Sequence, residues 1–258
     1  MPAALRAALS LLLAVVGLLP PRVVDLRRRV RAALTPPVVV WTDAMWTDEA
    51  PGRPAKGGLG FVVWLPPGSR QGGITGRFKY AERVLGLSEL TFLSRSHSLI
   101  TQLELLAAAS PYASLPAACF ADSDVIHFID NTGALYGLVK GYSPVPDCMS
   151  IIRAFHVANL ALRANVWFSY VASKANIADL PSRGALSEMA AALLRVAPRA
   201  PFSLLRDSVP LLFPSGDTDV AAVWAAVTAQ LPPQPSGSGG PSKRHAPSGK
   251  RPRARRRL

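Results

Sequence analysis

Cysteine and long apolar runs are both scarce in this sequence, and each shortage excludes a class of protein. Only two cysteines, Cys119 and Cys148, occur among the 258 residues, so no disulfide framework holds the chain together. No group of histidines and cysteines has the spacing of a zinc site. The uncharged apolar stretch at 7–21 falls short of the roughly 18 residues that a membrane-spanning helix needs. We therefore expect no stable membrane span.

The positive charge of the chain lies at its two ends. The formal net charge is +13, yet residues 32–240 contain 15 Lys or Arg and 15 Asp or Glu, which cancel. One basic group is the tail formed by Lys243, Arg244, Lys250, Arg251, Arg253, Arg255, Arg256 and Arg257. A neutral body between cationic ends indicates an anionic polymer as partner. The tail is interpreted as a nucleic-acid-binding arm or a nuclear-localisation patch, with a solubilising end as the third interpretation.

Composition divides the chain into four parts. Residues 1–35 are interpreted as a basic helical leader, with a secretory signal or an organelle presequence as the alternatives. Residues 36–185 show the strand and helix periodicities of a folded domain. Residues 186–230 are predicted to form a helical extension, with one helix at 219–230. Residues 231–258 are rich in Pro, Gly, Ser and Arg and are predicted to stay disordered without a partner.

Hydrophobic periodicity places the secondary structure within 36–185. Strands are expected at 38–46, 58–66, 76–84, 124–130 and 165–173. Helices are expected at 96–110, ending before Pro111, and at 146–165. A short helix is expected to run through Leu138 and to end at Gly141, and residues 175–184 are expected to form a helix or a turn. The first three strands follow one another directly, with Gly72-Gly73 as a turn signal, which predicts an antiparallel meander.

Four acidic residues lie inside or at the ends of apolar elements, where an unpaired carboxylate is costly to desolvate. They are Asp43, Glu104, Asp130 and Asp179. No Lys or Arg lies within the two strands that carry Asp43 and Asp130, so ion pairing is not the evident compensation, whereas a divalent cation is. Carboxylate oxygens suit Mg²⁺ better than zinc. If the strands that end in Asp43 and Asp130 are neighbours, the acids can converge at one sheet edge and hold two ions for phosphodiester hydrolysis.

The order of these acids and elements resembles the ribonuclease H domain of reverse transcriptases. Four motifs within residues 36–185 carry the resemblance: VVVWTDAMW (38–46), ITQLELLAA (100–108), FIDNTGAL (128–135) and VASKANIADLPSRG (171–184). The last is similar to the closing signature of retroelement ribonuclease H domains. Each motif alone is a weak signal, but four in the family's order, with the family's elements between them, form a strong joint one.

This resemblance implies a fold and a metal site. The fold is α/β and ribonuclease H-like, a five-stranded mixed sheet with the first three strands antiparallel, flanked by helices. The catalytic, metal-binding carboxylates are Asp43, Glu104, Asp130 and Asp179, for two Mg²⁺ ions that Mn²⁺ can replace. Asn131 and Ser182 support the site, and Glu104 also lies near the RNA strand. Many cellular members carry a histidine before the last Asp, whereas the loop here reads SKAN (173–176). Slow turnover is one expectation from this departure, but retroelement members often dispense with the histidine.

The activity that the resemblance implies is endonucleolytic hydrolysis of the RNA strand of RNA:DNA hybrids, which are read by shape and 2′-hydroxyls. No YxDD-like polymerase motif occurs in the chain. We therefore expect a fragment or derivative of a retroelement reverse transcriptase, with 1–35 as the remnant of a connection to a polymerase and a separate polymerase as partner. The alternatives are a catalytically silent nucleic-acid-binding protein and another nuclease of the superfamily. The expected location is the nucleus or the cytoplasm.

Three further residues have an ordinary structural interpretation. His127 alternates with Val125 and Ile129 along a strand, which favours a hydrogen-bonded core histidine over a catalytic one. Trp41 is expected to pack in the core because aromatic residues are common in strands. For Trp46, packing and stacking on bases both stay open.

Overall fold

The computed structural model describes residues 36–69, 72–73, 76–93 and 99–192. Five strands form one sheet: β1 (Val38–Thr47), β2 (Lys56–Leu65), β3 (Arg77–Gly86), β4 (Asp124–Ile129) and β5 (Asn165–Tyr170). The helices are α1 (Leu99–Ser114), α2 (Thr132–Lys140), α3 (Pro146–Leu162), α4 (Asp179–Ser182) and α5 (Leu186–Ala192). Short 3₁₀ helices span Leu87–Leu90, Ala117–Cys119 and Ser173–Ala175. Over the described ranges, every helix is too short or too polar to cross a bilayer.

The sheet is mixed, with the strand order β3-β2-β1-β4-β5. Strands β1, β2 and β3 pair antiparallel, whereas β1 with β4 and β4 with β5 pair parallel. Gly73, with a φ of 66°, lies in the turn between β2 and β3 that its left-handed conformation favours. The predicted α/β architecture, with three antiparallel strands followed by parallel ones, is confirmed. It places β1 in the centre, between the hairpin β2–β3 and the parallel pair.

The two faces of the sheet are covered by different helices. Leu59, Phe61 and Val63 of β2 belong to the main core cluster, which also holds residues of α1 and α3. Val62, on the opposite face because side chains alternate along a strand, packs with Ala178 and Met189. Helices α1 and α3 therefore cover one face, and the α4–α5 region covers the other.

Helix α1 differs from its prediction, because it does not end before Pro111. It continues to Ser114, and its residues from Gln102 to Tyr112 are all buried. The ring of Pro111 removes one backbone hydrogen bond and disfavours the helix locally. Burial of this long apolar stretch outweighs that cost, because tertiary packing supplies most of the stability of helices in proteins.

Other boundaries shift by a few residues. Strand β1 extends to Thr47, one residue beyond the predicted 38–46, and Asp43 lies within it because the second half of the strand still pairs with β2. Helix α3 ends at Leu162, not at 165, because Arg163 adopts a left-handed φ of 53° and its N–H caps the helix. Strand β5 ends at Tyr170. The predictions for 1–35 and 219–230 lie outside the described residues, as does that for the basic tail.

Candidate metal centre

Two of the predicted carboxylates reach the same sheet edge from neighbouring parallel strands. The pairing of β1 with β4 ends at Thr42 and Ile129. Asp43 and Asp130 are the next residues of the two strands, so both lie just beyond the last parallel pair. Asp43 is still held in the sheet on its other side, where it pairs with Gly60 of β2. Parallel strands with adjacent carboxyl ends commonly deliver site residues in this way.

The third carboxylate comes from helix α1. Glu104 is only 3% exposed, and it accepts a hydrogen bond from the backbone N–H of Ala44. Asp43, Glu104 and Asp130 each have one carboxylate oxygen that lies within 4.8 Å of the corresponding oxygens of the other two. The structure therefore brings these three predicted residues together, and we refer to Asp43, Glu104 and Asp130 as the acidic cluster.

Burial and mutual repulsion make the acidic cluster a poor place for uncompensated negative charge. Burial raises the pKa of Asp43 from 3.8 to about 7, and the Asp130 and Asp179 charges add to that rise. A hydrogen bond from Ser182 acts in the opposite direction. Burial, followed by the charges of Asp43 and Asp130, also raises the pKa of Glu104 well above 4.5. A bound cation would remove the repulsion and favour the ionised carboxylates.

The donor set of the acidic cluster fits a hard divalent cation. Oε2 of Glu104 and Oδ1 of Asp130 are buried and have no hydrogen-bond partner among the described residues. Buried oxygens of this kind are rare in folded proteins unless a water or an ion satisfies them. All three side chains offer carboxylate oxygen, the ligand type of Mg²⁺, Mn²⁺ and Ca²⁺. The unpartnered atoms are thus placed where a cation would satisfy them.

Asp179, the fourth predicted ligand, lies at the start of α4 and outside the acidic cluster. Its Oδ1 accepts a hydrogen bond from Nε of Arg183 at 2.7 Å, and the two residues form an ion pair at the i, i+4 spacing of one helical turn. Its side chain is 33% exposed, yet its charge still contributes to the raised pKa of Asp43. Ion pairing was not the evident compensation because the acid-bearing strands lack Lys and Arg, yet it occurs at Asp179, where the partner Arg183 lies at the end of the same helix.

Ser182 connects α4 to the acidic cluster. Its hydroxyl donates to Oδ2 of Asp43, and its oxygen also lies 3.0 Å from the Asp179 carbonyl. The backbone of α4 comes this close because β2 presents glycine beneath it. A Cβ atom on Gly58 or on Gly60 would overlap the backbone of Ser182. The sequence KGGLG is therefore the packing surface on which α4 rests.

Asn176 is a site residue that the sequence reasoning did not single out. It is 4% exposed, and its Nδ2 donates to the carbonyl of Thr42, directly before Asp43, at 2.9 Å. Its Oδ1 accepts from the N–H of Ala178 at 3.2 Å. This amide fastens the segment that precedes Asp179 to β1. The signal was present, since Asn176 opens the motif NIADLPSR.

Asn131 and His127 both have structural roles: Asn131 caps a helix and His127 lies in the core. Oδ1 of Asn131 accepts from the N–H of Ala134 at 2.9 Å and caps α2, so it starts that helix directly after Asp130. His127 is fully buried, which confirms the prediction of a core histidine. Its pKa is lowered by burial to about 3, so the imidazole is neutral.

The tryptophans that flank Asp43 differ in their contacts. Trp41 is partly buried and stacks on Phe128 at a ring-centroid distance of 5.7 Å, which confirms its packing role. Trp46 packs at the edge of the main core, and its Nε1 donates to Asp48 at 2.8 Å.

Among the comparisons with known proteins, only the one with solved structures found similar proteins. No protein-family model matches the chain, and no curated protein matches it. A solved RNase H1 from the halophilic archaeon Halobacterium salinarum NRC-1 is 20% identical, with 58% of this chain and 98% of that chain covered and a TM-score of 0.38.

Two further solved structures are similar at the same level. LC9-RNase H1, described as a type 1 RNase H with the type 2 active-site motif, is 14% identical, with 74% of this chain and 85% of that chain covered and a TM-score of 0.38. The N-terminal RNase H domain of a Mycobacterium tuberculosis protein, fused to maltose binding protein, is 15% identical, with coverages of 60% and 97% and a TM-score of 0.33. All three TM-scores lie below 0.5.

Proposed function

We propose that this protein is a divalent-metal-dependent ribonuclease H that hydrolyses the RNA strand of RNA:DNA hybrids. The observation that carries the proposal is the acidic cluster: three carboxylates from β1, α1 and the end of β4, with oxygens within 4.8 Å of one another. Two of these residues, Asp43 and Glu104, are almost completely buried. A fold gains no stability from three acids crowded in this way, so their arrangement favours a bound cation.

Asp43, Glu104 and Asp130 would hold the metal, and Asp179 would join them from α4. Divalent cations held at such a site activate a water molecule and stabilise the leaving oxygen in phosphodiester hydrolysis. The chain's own task is to keep its carboxylates ionised and close together. Ser182 serves this task by donating to Asp43, and Asn176 serves it by fixing the segment before Asp179 to β1. Mg²⁺ is the proposed ion, with Mn²⁺ able to replace it.

The biological setting is also a proposal. The resemblance of the motifs supports a derivative of a retroelement reverse transcriptase that works with a separate polymerase, in the nucleus or the cytoplasm. The basic residues between Lys243 and Arg257 would add sequence-independent affinity for the hybrid, because neutralised phosphates release counterions. That contribution should fall steeply with salt concentration.

The test is cleavage of a labelled RNA:DNA hybrid by the full chain, compared with single-stranded RNA and duplex DNA, with Mg²⁺ and with EDTA. The decisive variant is Asp43→Asn. Its matched control is Asp48→Asn, which makes the same chemical change at an exposed position directly after β1. We expect cleavage of the hybrid alone, dependent on Mg²⁺, retained in Asp48→Asn and lost in Asp43→Asn.

Other outcomes would replace the proposal with one of its alternatives. Hybrid binding without cleavage in the parent protein would indicate a catalytically silent nucleic-acid-binding protein. Cleavage of duplex DNA or single-stranded RNA as fast as the hybrid would indicate another kind of nuclease. Cleavage that survives Asp43→Asn would show that the acidic cluster is not the active site.

A further inference from the structure

One buried imidazole joins the three elements that carry the acidic cluster. His127 lies in β4 and is 0% exposed. Its Nε2 is 3.0 Å from the hydroxyl of Thr42 in β1, and its Nδ1 is 3.3 Å from the hydroxyl of Tyr112 in α1. We call Thr42, Tyr112 and His127 the histidine cluster. Its three members come from the same three elements as Asp43, Glu104 and Asp130.

The two clusters lie close together along the two strands and about two helical turns apart along α1. Thr42 directly precedes Asp43 in β1. His127 is three residues before Asp130, on the strand that ends there. Tyr112 follows Glu104 on the same helix. A slide of α1 along its axis, or of β4 against β1, would therefore break a bond to the imidazole and change the spacing of the carboxylates together.

Thr42, Tyr112 and His127 are polar side chains in the core, where apolar side chains could fill the same space. Burial keeps His127 uncharged, since its pKa is lowered to about 3. A neutral imidazole has one donor and one acceptor nitrogen, and a hydroxyl group can serve either of them. Both ring nitrogens are thus satisfied. Because hydrogen bonds are directional and hydrophobic contacts are not, a satisfied buried network specifies one arrangement of the elements that share it.

We propose that His127 is a positioning residue, which holds β1, β4 and α1 in the one arrangement that lets Asp43, Glu104 and Asp130 share a cation. This inference rests on the metal-dependent function proposed above. It differs from an ordinary role in the core, where any side chains that fill the same space would serve equally well.

The experiment replaces the whole histidine cluster with apolar side chains of similar size. The full chain carrying Thr42→Val, Tyr112→Phe and His127→Leu leaves no unpaired member of the cluster, and such replacements are often neutral for stability. Three quantities are measured: the melting temperature in EDTA, the affinity for Mn²⁺ by calorimetry, and kcat and KM on the hybrid. We expect a melting temperature within a few degrees of the parent, Mn²⁺ affinity about 10–100-fold weaker, and a lower kcat with an unchanged KM.

The matched control is Ser110→Ala. Ser110 is also fully buried on α1, but its hydroxyl donates only to the Leu106 carbonyl of the same helix. It should leave the Mn²⁺ affinity unchanged.

Retained Mn²⁺ affinity in the folded triple variant would overturn the proposal, whether or not the melting temperature falls. If the triple variant does not fold, Tyr112→Phe decides by the same criteria, with a several-fold loss of affinity expected. If the parent itself does not bind Mn²⁺, the metal centre is disproved and this inference with it. Mn²⁺ binding by the parent without cleavage would contradict only the proposed activity, and the affinities would still decide the role of His127.

Discussion

The acidic cluster and the histidine cluster are two groups of buried polar side chains built from the same strands and the same helix. In the histidine cluster both nitrogens of the imidazole have a hydroxyl partner. In the acidic cluster, buried oxygens of Glu104 and Asp130 have no hydrogen-bond partner among the described residues. A network that is complete within the chain fixes how its elements are arranged, whereas one that is incomplete is a place for a ligand.

The largest effect is expected from a substitution in the acidic cluster. It should stabilise the protein, whereas a single substitution in the histidine cluster should destabilise it. Glu104→Gln removes a carboxyl group whose ionisation in the acidic cluster is unfavourable, so in EDTA it should raise the melting temperature. Cleavage should fall by more than about 100-fold, because loss of a group that only supports a metal ligand already costs up to that much. Thermal unfolding and hybrid cleavage measure the two quantities. Glu188→Gln, at an exposed position of α5, is the control. A melting temperature lowered by Glu104→Gln would contradict the repulsion argument.

The pH dependence of stability should reveal the acidic cluster directly. Because the pKa of Asp43 is about 7 in the folded protein against 3.8 ordinarily, the folded state retains a proton that the unfolded chain loses above pH 4. The free energy of unfolding in EDTA should therefore fall as the pH rises through this window, by up to about 1.4 kcal/mol per pH unit. Urea unfolding from pH 4 to 8 measures it. Asp43→Asn should make the curve shallower without flattening it, because burial also raises the pKa of Glu104. An equally steep curve in that variant would assign the effect elsewhere.

The glycines of β2 offer a way to disturb the acidic cluster without touching a carboxylate. Gly60→Ala places a methyl group against the backbone of Ser182, so α4 must move away and Ser182 must release Asp43. We expect a loss of about 1–3 kcal/mol in the free energy of unfolding, together with reduced cleavage. Gly86→Ala, which meets nothing closer than 3.9 Å, should change neither quantity. Full activity in Gly60→Ala would show that α4 is not needed in this position.

Within the histidine cluster, a single substitution should act through an orphaned partner. Thr42→Val keeps the shape of the side chain but leaves Nε2 of His127 without its hydroxyl, which should cost about 1–3 kcal/mol. Urea unfolding measures this loss. Adding His127→Leu and Tyr112→Phe should restore most of the stability. A further loss in the triple variant would show that packing, and not hydrogen-bond satisfaction, dominates here.

The smallest expected effect on stability is that of Arg183→Gln. The ion pair of Arg183 with Asp179 joins side chains that are 62% and 33% exposed, and exposed pairs contribute between about 0 and 1 kcal/mol. The substitution also frees Asp179 from a competing cation. The Mg²⁺ concentration for half-maximal cleavage should therefore fall, as a metal titration would show. An increase would indicate that Arg183 holds Asp179 in place for the metal.

Sequence patterns predicted the strands and helices better than the contacts between side chains of different strands and helices. Apolar runs and alternation located all five strands, and the four acids singled out at apolar segments include the three that converge. What the patterns could not supply was partners from distant parts of the chain, such as the hydroxyl of Thr42 for His127 or the β2 glycines beneath Ser182. Pro111 failed as a helix stop for the same reason, because the packing around it involves residues far away in sequence.

The contact of Ser182 with Asp43 has a consequence for the order in which the protein is made. Asp43, Glu104 and Asp130 all precede α4 in the chain, and α4 reaches them from the other side of the sheet. A growing chain that has been synthesised only as far as β5 already contains the crowded acids but neither Ser182 nor Asp179. In such an intermediate Asp43 would lack the hydroxyl of Ser182, whose hydrogen bond lowers the pKa of this carboxyl, so that support would be completed only when α4 packs against β2.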